Sequence, residues 1–308
     1  MCIRDRNIAG GQISAQAPPT WSAADQSAAV CNEILRWGCD VVALQECESG
    51  SSIDELKEKY ALVGSKAAIA NRGFVHLYVR VGLTFEVIPV NGDHPCVVAR
   101  VETSGDAPDE VAGRGVAVAA VHLPTGDRSG VRSAVVEACL SAVESRAAKF
   151  LLVGDANAKD EEIGQLCRAT DLCEARYTGY SWGVKGNAFY KGSPYVGPGL
   201  RCDRVLFGKS LWAETHLVAQ GKVCFDGRTF CLSDHYGVMA FLDVSDVYAG
   251  RERCSEAAAR ERRGQLVKMK ELSQQRELVE AKAKLDMARE EQALARQRAA
   301  HRDRGDFQ

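Results

Sequence analysis

The run Phe150-Leu-Leu-Val153, closed by Gly154-Asp155-Ala156-Asn157, sets the terms on which the rest of the chain can fold. Four successive apolar residues are too few for a helix, and they fit a strand buried on both faces. Gly154 ends the run, so the polar side chains come at the strand's end. In an α/β sheet that end opens onto the ligand crevice, and Asp155 and Asn157, two residues apart on one side, point into it. An Asp and an Asn there can hold a metal, a water or a phosphate oxygen. The same Gly-Asp-x-Asn is also an ordinary turn with self-bonding Asx side chains. What favours a site is that four other strand-like runs also end in acids, amides or His.

The 308 residues, 46% of them hydrophobic, suffice for one large core or two small ones. A formal net charge of −2 gives no global basic field, so contact with long nucleic acid would depend on a local patch, while small or terminal phosphate substrates suit the chain. Twelve Cys are scattered without a C-x-x-C pair, and Cys31, Cys139 and Cys167 sit in apolar or helical surroundings. That usage points to a reducing compartment, nuclear or cytoplasmic. No apolar run reaches membrane-spanning length and no signal-peptide core is present.

Met1-Cys-Ile-Arg-Asp-Arg6 is unlike the start of a domain and resembles the in-frame translation of a transposon-end adapter used in sequencing libraries. It is therefore set apart from the fold, with the native N-terminus expected to be missing. Asn7 to Gly11 then reads as the end of a first strand, with Asn7 at its polar tip. Trp21 to Trp37 has helical spacing, with Asp25 near its start and Gly38 closing it. Asp40 to Glu46 is a buried run ending in Gln45-Glu46. Ile53 to Tyr60 reads as a short helix. Gly73 to Val81 and Leu83 to Val90 read as strands paired antiparallel to each other, and Val97 to Glu102 and Gly115 to Leu123 as further strands, the last ending in His122.

Val131 to Lys149 has the pattern of an amphipathic helix, and a second helix runs from Asp160 to Cys167. The long Gly- and aromatic-rich segment from Tyr177 to Leu200, with Trp182 and Asn187, reads as a binding surface. Arg201 to Phe207 is strand-like around Asp203, and Ser233-Asp234-His235 precedes a closing strand. The catalytic part is expected to span residues 7–245. From Asp246 the composition turns to Ala, Arg, Glu, Gln and Lys, with 15 Lys plus Arg against 12 Asp plus Glu, leaving 24 against 29 in the rest. Residues 246–308 read as a long charged helical tail, held by i,i+4 pairs such as Glu280 with Lys284 and able to take up a protein partner.

Asn7, Gln45-Glu46, His122, Asp155, Asn157, Asp203, Asp234 and His235 thus stand at the ends of successive runs, a set that suits Mg²⁺ and phosphate. In order and spacing, Leu44-Gln45-Glu46, Val121-His122-Leu123, Gly154-Asp155-Ala156-Asn157, Arg201-Cys202-Asp203 and Ser233-Asp234-His235 resemble the motif series of the endonuclease/exonuclease/phosphatase superfamily. Gly154 to Asp160, Arg201 to Arg204 and Ser233-Asp-His-Tyr-Gly237 are most similar to the branch that cleaves 5′-phosphotyrosyl bonds between topoisomerase and DNA.

The resemblance implies an α/β (α+β) four-layer sandwich, two mixed β-sheets flanked by helices with the site at one edge. It implies Mg²⁺, or Mn²⁺, held mainly by Glu46 with Asn7 and Asp234, by one metal or two. It makes Asp155 the group that orients the water or acts as acid or base, and Asn157 and His122 donors to phosphoryl oxygens. His235, oriented by Asp203, is a general base or a donor to the phosphate. Lys159 stands where the branch often has Arg, and Gly183 where it tends to place an acid; Lys159, Trp182 and Asn187 are the expected substrate contacts. The implied substrate is a phosphoester, a single-stranded DNA end or its 5′ adduct. The same chemistry also serves abasic-site nucleases, deadenylases, inositol-phosphate phosphatases and sphingomyelinase-like enzymes, and a catalytically dead scaffold with a recruiting tail stands as a reading from another class.

Overall fold

The central strand runs Val41–Leu44, Val116–Val121 and Phe150–Val153 read as continuous apolar stretches because both of their faces are covered. The computed structural model describes residues 1–9, 12–50, 53–69, 72–102, 115–143, 149–183, 189, 199–220 and 222–243, all within the unit Met1–Ala249. One six-stranded sheet contains β1 (Cys2–Asn7), β2 (Val41–Cys47), β3 (Tyr60–Ala67), β4 (Phe74–Arg80), β11 (Trp212–Val218) and β14 (Gly237–Asp243), in the order β11-β14-β1-β2-β4-β3. The second contains β5 (Phe85–Ile88), β6 (Cys96–Glu102), β7 (Gly115–His122), β8 (Lys149–Asp155), β9 (Leu172–Glu174) and β10 (Asp203–Gly208), in the order β5-β6-β7-β8-β10-β9. A hairpin of β12 (Val223–Phe225) and β13 (Arg228–Phe230) stands apart.

Alternate residues of each strand enter different cores. Val41 and Ala43 of β2, Val116, Val118 and Ala120 of β7, and Leu151 and Val153 of β8 meet between the sheets. Their neighbours Val42 and Leu44 pack outward with Val30 and Ile34 of α1 (Ala23–Trp37). Ala117, Ala119 and Leu152 pack outward with Val135, Cys139, Ile163 and Leu166 of α2 (Ser129–Val143) and α3 (Asp160–Thr170). The layers are therefore helix, sheet, sheet, helix, the four-layer sandwich implied by the motif series. Full burial of each such Val, Leu or Ile is worth about 1.5–3 kcal/mol, which holds the strand ends in fixed register.

Local chemistry sets the helix limits. Ser22 caps α1 in a capping box with Asp25, and Gly38 ends it in the left-handed conformation, φ 57°. Asp160, Glu161 and Glu162 fill the first turn of α3, where the helix dipole favours acids.

Several expectations from the sequence are corrected. The first strand runs from Cys2 to Asn7 rather than onward from Asn7, because it needs ladders on both sides, parallel to β2 and antiparallel to β14. Residues 1–6 therefore take part in the fold. Gly73–Val81 and Leu83–Val90 do not pair with each other: β4 pairs with β2 and β3, and β5 with β6. The turn at Val81-Gly82, with Gly82 at φ 98°, carries the chain from one sheet to the other. Ile53–Tyr60 holds only a 3₁₀ turn at Asp54–Leu56, and Tyr60 opens β3. β11 went unread. Asn187, most of the Tyr177–Leu200 segment and the 246–308 tail lie outside the described residues. Among the described residues no helix is long and apolar enough to cross a membrane, and the cysteines are free thiols.

Candidate active site

Strand direction gathers the polar tips. β1 with β2, and β7 with β8, are parallel pairs whose C-terminal ends carry Asn7, Gln45-Glu46, His122 and Asp155; Asn7 is in register with Gln45 and His122 with Asp155. β10 runs against β8, so its first residue, Asp203, stands opposite Asp155. β14 runs against β1, which brings the preceding Ser233-Asp234-His235 to the same edge.

Side-chain alternation does the rest. Asn7, Gln45, His122, Asp155 and Asp203 share the parity of Ile3, Ala43, Ala120, Val153 and Val205, which face the opposite sheet. Glu46 has the wrong parity. A register shift between Leu44 and Cys47 and a left-handed backbone at Glu46, φ 56°, turn its side chain into the cleft. Gly73 across the ladder makes room for that turn, since a Cβ there would lie 2.5 Å from the Cys47 carbonyl oxygen. Gly154, at φ 147°, is required for the same kind of reason: a Cβ would stand 2.0 Å from the Val121 oxygen.

At the centre, the Asn7 amide nitrogen donates to Glu46 Oε1 and to Asp155 Oδ2, each at 3.1 Å. Its amide oxygen accepts from Ala9 N at 2.9 Å. His122 Nε2 lies 3.8 Å from Glu46 Oε1 and 3.7 Å from Asp155 Oδ2. His235 Nε2 approaches the same Asp155 oxygen at 3.7 Å, while its Nδ1–H donates to Asp203 Oδ2 at 2.9 Å. Burial lowers the pKa of His235, but Asp203, Asp155 and Asp234 outweigh it and push the value up to about 10. The ring is therefore an imidazolium at neutral pH, a charged donor. Gln45 donates to Asp5 Oδ1 at 2.7 Å instead of facing the cleft, and burial beside Asp203 holds the Asp5 carboxyl well above the usual carboxylate range.

A cleft of about 1230 Å³ opens over this cluster and is lined by Glu46, Asp155, Asn157, Lys159, Trp182, Asp234 and His235, among others. Asn157, left-handed at φ 48°, donates to the Leu123 carbonyl at 3.0 Å, and its backbone N–H donates to Asp155 Oδ1 at 3.0 Å. Trp182 Nε1 donates to Asp234 Oδ2 at 3.0 Å, which fixes the indole and that carboxylate against each other.

Among the described residues, two groupings could take a cation. Asp155, Asp203 and His235 offer ligand atoms within 4.8 Å of one another. There, however, His235 Nδ1 and Asp203 Oδ2 are bonded to each other, and Asp203 is fully buried away from the cleft. Glu46 faces the cleft with its side chain 17% exposed, and one carboxylate completed by waters and phosphate oxygens is the set a hard divalent cation takes. The donor chemistry therefore fits a cation at Glu46. Asn7 as placed holds that carboxylate through its amide nitrogen.

Of the framing residues, Ser181 and Arg132 carry no signal in the sequence, whereas Ser233 opens the Ser233-Asp234-His235 motif. Ser181 Oγ accepts from the backbone N–H of Cys202 and of Asp203, each at 3.1 Å. Ser233 Oγ donates to the Asn7 carbonyl at 2.8 Å and accepts from His235 N at 3.1 Å. Arg132 of α2 grips Glu162 through Nε and Nη2 at 2.6 and 2.7 Å, and its Nη1 donates to the Pro124 and Gly126 carbonyls at 2.7 and 2.8 Å. A serine in a loop and an Arg inside a helical pattern are too common to stand out.

Comparison with known proteins agrees with this geometry. A sequence profile of the Endonuclease/Exonuclease/phosphatase family matches residues 7–235. Among curated proteins, none matches the sequence. Among solved structures, TDP2 of D. rerio, complexed with single-strand DNA product, is similar at 21% identity over 79% of this chain and 98% of that one, with a TM-score of 0.59. TDP2 from C. elegans is similar at 18% identity over 78% and 74%, TM-score 0.55. Beta toxin from Staphylococcus aureus is similar at 16% identity over 78% and 99%, TM-score 0.59. At these identities the structures speak for the fold, while the profile spans most of the chain. The chain belongs to the Endonuclease/Exonuclease/phosphatase family and is a metal-dependent phosphoester hydrolase.

Proposed function

We propose that the protein hydrolyses phosphodiesters at single-stranded DNA 5′ ends, with a 5′-tyrosyl or similar aryl adduct as the favoured substrate, in DNA repair. The observation that carries this reading is the convergence on one oxygen, Asp155 Oδ2, of Asn7 at 3.1 Å and of His122 and His235 at 3.7 Å, with Glu46 bonded to the same Asn7. A nucleic-acid end as substrate draws support from the likeness to TDP2 of D. rerio, a structure that holds a single-strand DNA product.

Glu46 would hold Mg²⁺, or Mn²⁺, with Asp234 at the rim of the same cleft; such a cation supplies neutralisation of charge growing on phosphoryl oxygens. Asp155, bonded by Asn7 Nδ2 and Asn157 N, keeps a fixed carboxylate toward the cleft, where it orients the attacking water and takes its proton. His235, protonated through its pairing with Asp203, donates Nε2–H to a phosphoryl oxygen, and of the two roles open from the sequence this one suits an imidazolium. Trp182 presents an aromatic wall beside the reacting phosphate. Lys159 contributes a point charge at the start of α3.

The test is release of tyrosine from a single-stranded oligonucleotide carrying a 5′-phosphotyrosine, with Mg²⁺ and with EDTA, beside an abasic duplex. Metal-dependent release that fails in Glu46→Ala is expected, as is a loss of roughly 10²–10⁴-fold in Asp155→Ala. Cleavage of the abasic duplex alone would reject the substrate assignment.

A further inference from the structure

The outward face of β4 carries a polar pair inside an apolar layer. Phe74, His76 and Tyr78 alternate with Val75, Leu77 and Val79, which face the other sheet. His76 and Tyr78 are both 0% exposed, and Tyr78 packs in one cluster with Val42, Leu44 and Leu56. An imidazole is tolerated in such a layer only if both ring nitrogens are hydrogen-bonded, and both are. Nδ1 lies 3.0 Å from Tyr78 Oη, and Nε2 lies 2.8 Å from the Ser49 carbonyl oxygen.

The partners fix the direction of each bond. The Ser49 carbonyl can only accept, so Nε2 carries the proton and donates it there. Ile53 N–H donates to Tyr78 Oη at 3.0 Å, and the phenol donates its own proton to Nδ1. Burial lowers the His76 pKa more than the Ser49 carbonyl raises it, so the ring is neutral at neutral pH and keeps this tautomer.

A buried histidine satisfied within its own strand would serve packing alone. This histidine and its tyrosine instead hold two points on the segment that leaves the active site, Ser49 and Ile53. Glu46 is left-handed at φ 56° within the register shift between Leu44 and Cys47, a conformation that a non-glycine residue keeps only where its surroundings hold it. Beyond that shift Cys47 returns to the ladder opposite Phe74, and Glu48 stands exposed on the cleft wall. At the Ser49 carbonyl a side chain of β4 takes hold of the chain again. We propose that His76 is a positioning residue for Glu46, holding the Ser49 carbonyl so that the bulge keeps the Glu46 carboxylate aimed into the cleft. The inference rests on the reading that Glu46 holds the divalent cation.

The two ring nitrogens can be tested apart. In His76→Gln an amide nitrogen falls near the place of Nε2 and still donates to Ser49. In His76→Asn an amide oxygen falls near the place of Nδ1 and still accepts from Tyr78, while the bond to Ser49 is lost. Mn²⁺ binding followed by electron paramagnetic resonance should weaken about tenfold in His76→Asn and stay within about twofold of the unsubstituted protein in His76→Gln. Natively folded variants that lose affinity equally, or that both keep it, would overturn the positioning role and leave the cation at Glu46 intact. If His76→Asn does not fold, Tyr78→Phe takes its place, since it releases Ile53 and Nδ1 and keeps the aromatic ring; its affinity should fall severalfold, and an unchanged affinity would overturn the proposal. An unsubstituted protein that binds no Mn²⁺, or binding equally tight in Glu46→Ala, would overturn the cation reading and the proposal with it.

Discussion

Replacing Asp203 by Asn removes one charge and leaves the shape. His235 stands at about 10 against an ordinary 6.5, so its surroundings favour the imidazolium by about 5 kcal/mol at 1.36 kcal/mol per unit. Burial opposes that preference, and Asp203 is the foremost cause that raises it. With its charge gone, burial faces Asp155 and Asp234 without its strongest opponent, and we expect His235 in the variant to titrate well below its value in the unsubstituted protein. Ring-nitrogen NMR across pH 5–9 reads this directly: the unsubstituted protein should stay protonated at His235 where Asp203→Asn titrates. Turnover should fall by about 10²–10⁴-fold, since the variant presents a ring that sheds its proton at lower pH and is no longer held in orientation. Stability carries the same signature. Because the folded-state value is raised, the contribution is complete below about 6.5 and is lost as pH climbs through 10. A His235 that titrates near 6.5 in the unsubstituted protein, or an unaltered pH profile in Asp203→Asn, would refute the reasoning.

Other perturbations follow from the same packing. Gly73→Ala places a Cβ 2.5 Å from the Cys47 oxygen and 3.1 Å from Glu46 Cα, so turnover should drop at least tenfold while circular dichroism stays native; an unchanged rate would mean that Glu46 is not aimed by this contact. In β1, Arg4 and Arg6 are buried under α1 against Glu33, and Nε of each lacks a hydrogen-bond partner. Burial lowers the two guanidinium groups to about 10 and 9. Apolar replacement of all three, Arg4→Leu, Arg6→Val and Glu33→Leu, should stabilise by about 1–4 kcal/mol and raise Tm in a thermal melt, whereas a lowered Tm would show that the ion pairs hold α1 in place. We propose that residues 247–308 stay apart from the chemistry, so their deletion should leave turnover on a minimal ester intact; loss of activity in a folded deletion would count the tail into the site.

Much of the architecture was legible because burial on two faces leaves a plain mark. Phe150–Val153 and Val41–Leu44 are apolar at every position, and the polar residue that follows each run marks the sheet edge. Parity in the strands then aims Asn7, His122, Asp155 and Asp203 correctly. Glu46 is the instructive exception: its motif singled it out, but alternation points it toward α1, and only the bulge and left-handed backbone return it to the cleft. β3 was hidden because most of its residues are only half-buried, with Gly64, Ser65 and Lys66 interrupting the apolar pattern. Without β3 in view, the spacing of β4 and β5 suggests a hairpin, whereas β4 lies between β2 and β3. Met1 to Arg6 is set apart on its resemblance to an adapter, and three buried charges, Arg4, Asp5 and Arg6, in a six-residue strand offer no apolar pattern to argue otherwise. The seats of Ser181, Ser233 and Arg132 depend on contacts between residues far apart in the chain, and no spacing records these.

The measurement closest to the central claim is where a divalent cation binds. Mn²⁺ titrated into the protein and followed by electron paramagnetic resonance separates the two candidate groupings at the sheet edge. Binding that is lost in Glu46→Ala and retained in Asp203→Asn is the predicted result. Binding that survives Glu46→Ala and disappears in Asp203→Asn would place the cation among Asp155, Asp203 and His235 and contradict the account.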